Sequence, residues 1–103
     1  MSSDSPSNTS EPKDGFDLME YPCDYLFKAM CRVDKLAAQS AEQVIQEIVL
    51  KHVAASRIVS VYTHQSRTGK FESVSLNVQL FDRAELETIY QAIAESPLVV
   101  MTL

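Results

Sequence analysis

No stretch of the 103 residues approaches the apolar length of a membrane span, and the N-terminus has no apolar signal core. A soluble cytoplasmic protein without a membrane partner is therefore expected. Motifs that carry chemistry are missing as well. There is no GxSxG nucleophile elbow, and no GxxxxGK loop opening a helix for phosphate. Thr68-Gly69-Lys70 comes nearest, but a strand pattern follows it. Neither CxxC nor HxxxH spacing occurs, so Cys23, Cys31, His52 and His64 do not read as metal ligands. No cofactor is expected, and no enzymatic activity is read from the residues.

Surplus positive charge is also lacking. The formal charge is −5, yet residues 1–20 hold Asp4, Glu11, Asp14, Asp17 and Glu20 against Lys13. The remaining residues hold eight Lys and Arg against nine Asp and Glu, which leaves them near neutral. Such a balance disfavours nucleic acid or an anionic membrane as partner. Residues 1–19 are rich in Ser and Pro and poor in core material, which predicts a disordered acidic tail, inert or regulated through a phosphorylated serine. Residues 20–103 are expected to form one domain.

What is present is period. In the run SRTGKFESVSLNVQL at 66–80, Val74, Leu76, Val78 and Leu80 alternate with Ser73, Ser75, Asn77 and Gln79. This predicts a half-buried antiparallel strand entered through a turn at Gly69. A first strand is read from Tyr25, with Phe27, Ala29, Cys31 and Val33 inward and Leu26, Lys28, Met30 and Arg32 outward. Ser40 and Gln43 form a capping-box pair before a helix whose stripe is Ala41, Val44, Ile45, Ile48 and His52. RIVSVYTH at 57–64 predicts a second strand. Asp82 with Glu85 opens a second helix with Leu86, Ile89, Tyr90 and Ile93 buried, and 98–103 closes the chain as a strand.

The order βαββαβ predicts a ferredoxin-like α+β fold, a four-stranded antiparallel sheet with two helices on one face. Right-handed crossovers put the first and third strands in the centre. Cys23 and Cys31 then sit on one strand roughly 26 Å apart, far beyond the ~7 Å limit for a disulfide, so both are read as free thiols.

Several short runs resemble the YbeD-like family of small bacterial proteins of unknown function. They are Tyr21-Pro22-Cys23 with Tyr25 and Lys28, then Lys51-His52, then Ser66-Arg67-Thr68-Gly69-Lys70-Phe71 with Ser73-Val74-Ser75, and finally Met101 and Leu103. The resemblance spans about residues 20–103. It implies a ferredoxin-like fold close to ACT-type regulatory domains, which bind small effectors or pair with one another. Cys31 stands where relatives often carry Gly, and the connector 34–39 has no Gly, which disfavours an amino-acid effector site.

The expected function is non-catalytic binding of a protein or small-molecule effector by a regulatory or adaptor domain. The candidate contact residues are Lys28, Arg32, Ser75 and Asn77 on the open sheet face, and Arg67, Gly69 and Lys70 at the hairpin. An uncharged edge strand at 98–103 offers a homodimer contact. Two alternatives stay open: a thiol-based sensor or small enzyme using Cys23, and a weak RNA-binding module, although Phe71 is the one aromatic read on the open face of the two central strands.

Overall fold

The computed structural model describes residues 19–102, so the reading of residues 1–18 lies outside the described part. Six elements follow in order: β1 (Cys23–Arg32), α1 (Ala41–Leu50), β2 (Ile58–Gln65), β3 (Phe71–Leu80), α2 (Arg83–Ala94) and β4 (Val99–Thr102). Short 3-10 turns at Val33–Lys35 and Ala55–Arg57 precede α1 and β2.

The alternation in β3 does what its period requires. Val74, Leu76, Val78 and Leu80 are fully buried, and the residues between them face away from the core. β3 pairs antiparallel with β1 from Cys23 opposite Leu80 to Arg32 opposite Phe71. The sheet order is β2-β3-β1-β4, with β1 and β3 central. This is the ferredoxin-like arrangement, and both helices pack on the same side.

α1 begins with a complete capping box. Ser40 Oγ accepts the Gln43 N–H at 3.1 Å, and Gln43 Oε1 accepts the Ser40 N–H at 2.9 Å. Its buried residues are Ala41, Val44, Ile45 and Val49, with Ile48 partly covered. The placement of His52 on this stripe is corrected: it is exposed. The helix ends at Leu50, and the His52 N–H turns back to the Val49 carbonyl at 2.9 Å, so helical spacing no longer carries it inward. In α2, Leu86, Ile89 and Ile93 are buried, and Asp82 caps the helix by accepting the Glu85 N–H at 2.9 Å. The Glu85 carboxylate does not return to the Asp82 N–H to close a box. It accepts the Phe81 N–H at 2.8 Å and pairs with Arg57.

Together with Phe27, Ala29, Cys31 and Leu36, these side chains form a single apolar cluster between sheet and helices. One layer of helices leaves the reverse of the sheet facing outward. No helix or strand of the described residues lies on it.

Candidate functional site

Pleating sends alternate residues to the uncovered side, and the pairing register aligns them in rows across the strands. Tyr62, Ser75 and Lys28 form one row across β2, β3 and β1. Ser60, Asn77 and Leu26 form the next row toward one end. Toward the hairpin come His64, Ser73, Met30 and Met101, and beyond them Phe71 with Arg32. Lys28 is exposed, as a docking role requires.

The face carries apolar groups among these polar ones. Tyr62 is 66% exposed, Met101 51% and Leu26 43%. Scattered exposed apolar residues are ordinary, but three on one uncovered sheet face are suited to a partner. Tyr62 is the member that sequence reasoning missed. Strict alternation along IVSVYTHQ cannot bring both Ile58 and Val61 to the core, yet both pack against it. An irregularity between Ile58 and Ser60 shifts the phase and leaves Val59 exposed.

The hairpin end gathers a second set of the predicted residues. The Val33 N–H donates to the Lys70 carbonyl at 2.9 Å, tying the end of β1 to the turn. Gly69 takes φ +76°, in open space. Arg32, Val33, Asp34, Gly69 and Lys70 line a shallow depression of about 330 Å³. Arg32 donates to Asp34 at 2.8 Å, but with both side chains at least half exposed the pair is weak. Arg67 is exposed in the same turn. Thus Arg32, Gly69 and Lys70 come together, Lys28 and Ser75 lie side by side, and Asn77 falls one row farther from the hairpin.

Charge separates between the layers. The open face and hairpin hold Lys28, Arg32, Arg67 and Lys70 against Asp24 and Asp34. The helical side holds Glu42, Glu47, Glu72, Asp82, Glu85, Glu87 and Glu95 against Lys51, Arg57 and Arg83. Near-neutrality of the domain conceals a basic face and an acidic back.

The gap under the sheet and the thiols are less suited to a ligand or a reaction. A gap between Tyr25, Phe27, Tyr90 and Thr102 measures about 10 Å³, room for one water. Cys23 and Cys31 are free and lie at opposite ends of β1. Burial pushes both thiols above their ordinary range, helped by the negative charge of Asp24 and Glu72 respectively. Activation of a thiol requires the opposite shift. Among the described residues no three His, Cys, Asp or Glu side chains converge, and no helix is long and apolar enough to cross a membrane.

Comparison with known proteins places this architecture among relatives. The model of a family described as a protein of unknown function, DUF493, matches residues 17–103. A UPF0250 protein of Nitrosomonas europaea is 30% identical over 86 residues, covering 84% of this chain and 94% of the relative. A UPF0250 protein of Neisseria meningitidis is 26% identical over 94 residues, covering 91% and 99%. Among solved structures, the Helicobacter pylori protein HP0495 superposes with a TM-score of 0.66 at 21% identity, over 96% of this chain and 94% of that one. The C-terminal domain of the MgtC protein from Mycobacterium tuberculosis gives 0.56 at 12% identity, over 82% and 88%. Both structures bear on the fold alone.

Proposed function

The chain belongs to the DUF493 family of bacterial proteins of unknown function, and we propose that within it this domain is a non-catalytic binding module, regulatory or adaptor in role, whose contact surface is the open sheet face. The observation that carries this reading is the row Tyr62–Ser75–Lys28. It joins an exposed aromatic, a hydroxyl and a cation on a rigid sheet that no other described element covers.

A protein segment suits this surface better than a small molecule. Small-molecule sites bury most of their ligand in a concavity of about 300–1,000 Å³. The depression beside Arg32 and Lys70 has such a volume but is shallow, so it would leave much of a ligand in water. An acidic segment with apolar side chains would instead meet Lys28, Arg32 and Lys70 along with Leu26, Tyr62 and Met101.

Affinity capture from an extract of the source organism tests the reading, using Lys28→Glu with Lys70→Glu beside Lys51→Glu at the end of α1. Partners lost from the first variant and kept by the second support it. Equal capture by both variants contradicts it, as does captured material released by ribonuclease, which would make the ligand RNA.

A second contact is favoured by β4. It is an outer strand without charge, and Val100 and Met101 are about half exposed beside a depression lined by Ala94 and Val99 to Thr102. Edge-to-edge pairing of two copies there predicts a dimer in sedimentation that Val100→Lys dissociates. A monomer at all concentrations contradicts it.

A further inference from the structure

The hairpin turn and the end of β1 enclose the basin of about 330 Å³ lined by Arg32, Val33, Asp34, Gly69 and Lys70. The bond from the Val33 N–H to the Lys70 carbonyl fixes its two walls to each other. We propose that this basin is a phosphoryl subsite of the open face, taking a phosphorylated side chain of the acidic segment that binds there. The proposal rests on the binding reading and adds the chemical group that the segment carries.

Unmatched charge points to an anion. On the helical side Arg57 is paired with Glu85 and Arg83 with Glu87. At the hairpin neither Arg67 nor Lys70 has a carboxylate partner among the described residues. The Glu72 carboxylate, next in the chain to Phe71, is held by the Ala41 N–H on the covered side. Three cations, Arg32, Arg67 and Lys70, against Asp34 leave a surplus of two positive charges. A phosphoryl group near its dianionic form offsets that surplus, and a carboxylate offsets half of it.

Shape favours the same group. A shallow basin leaves most of an apolar ligand in water. For a phosphoryl group the openness is an advantage, because some oxygens keep their water while others meet the Arg32 fork and the Lys70 ammonium. Asp34 is then a built-in competitor. It accepts from Arg32 at 2.8 Å, and the exposure of both side chains keeps that pair easy to displace. A singly charged carboxylate offers Arg32 no more than Asp34 already does. The basin therefore separates phosphorylated from unphosphorylated segments.

Amide spectra of the full chain test this with N-acetyl-phosphoserine amide, N-acetyl-glutamate amide and inorganic phosphate as probes. Phosphoserine is expected to shift residues 32–34 and 67–71 saturably, and to bind at least about three-fold more tightly than glutamate. Arg32→Gln and Lys70→Gln should each weaken it about three-fold, and Asp34→Asn should tighten it about two-fold. These side chains can be changed without loss of the fold, since the bond across the basin runs main chain to main chain. Equal binding of glutamate and phosphoserine overturns the proposal. Tighter binding of inorganic phosphate than of phosphoserine overturns it too, since the basin would then serve the free ion. Partner capture separates this proposal from the reading it rests on. Phosphatase treatment of the extract should abolish capture by the unmodified chain. Capture that survives the phosphatase, yet is lost with Lys28→Glu and Lys70→Glu, overturns the phosphoryl subsite and supports the face. Equal capture by those variants and by Lys51→Glu contradicts the face, while saturable phosphoserine shifts would still support the subsite.

Discussion

Glu72 on β3 accepts the backbone N–H of Ala41 at 3.0 Å, placing a carboxylate on the first turn of α1. The start of a helix exposes unsatisfied N–H groups and the positive end of its dipole, so a carboxylate there is favourable twice over. The contact fixes α1 to the covered side of the sheet near the hairpin. Glu72→Ala is expected to lower stability by about 1–2 kcal/mol, and Glu72→Gln by less because the amide oxygen still accepts. Chemical denaturation with an unchanged slope measures it.

Arg57 performs a similar role at the opposite end of the sheet. Its Nε donates to the Gln79 carbonyl at 2.8 Å, its Nη2 pairs with Glu85, and the guanidinium lies 3.9 Å over the Phe81 ring. Both partners of the ion pair are largely covered. Arg57→Ala should cost about 1–2 kcal/mol, and Arg57→Lys should recover little because lysine cannot fork or stack in this way. A double-mutant cycle with Glu85→Gln should show coupling above about 0.5 kcal/mol.

Ala37 takes φ 55° in the connector before α1, a conformation that costs an L-residue about 1–2 kcal/mol. Ala37→Gly is expected to raise stability by about 1 kcal/mol, despite the added freedom of the unfolded chain. At Gly69 the sign reverses. A Cβ there meets nothing within 4 Å, so the loss in Gly69→Ala, about 1 kcal/mol, comes from φ +76° alone. Thermal unfolding distinguishes the two directions.

Burial raises the Cys23 and Cys31 thiols above the ordinary 9.0, and it raises Tyr25 above 10.0, with the charge of Tyr90 adding to the shift. A raised value means that the folded state keeps protons that the unfolded chain gives up. Stability from these groups is therefore fully present below the unfolded thiol pKa and declines as pH rises through about 9 toward the folded values. Cys31→Ala should flatten that alkaline decline. At neutral pH Cys31 should alkylate only on unfolding, and Cys23 more slowly than a free thiol. Rapid labelling of native Cys23 would revive the thiol-sensor alternative.

The fold was legible because its signals are local. The alternation in β3, the Ser40–Gln43 box and the Asp82 cap each act within a few residues. The open face was legible in part, since the outward phase of β1 and β3 places Lys28, Arg32, Ser75 and Asn77. Tyr62 was hidden by the phase shift after Ile58, which depends on pairing with β3 and leaves no mark in β2 alone. The charge separation was equally hidden, because a sum over the chain cancels what the two layers keep apart. His52 misled because periodicity does not announce that a helix has ended.

The central claim is that the open sheet face is where partners sit. Its most direct measurement places a photo-reactive phenylalanine analogue at Tyr62, or at Thr88 on the exposed side of α2, in cells of the source organism. The account predicts a discrete intermolecular adduct from position 62 that Lys28→Glu abolishes, and none from position 88. Adducts from position 88 with none from position 62 would contradict it.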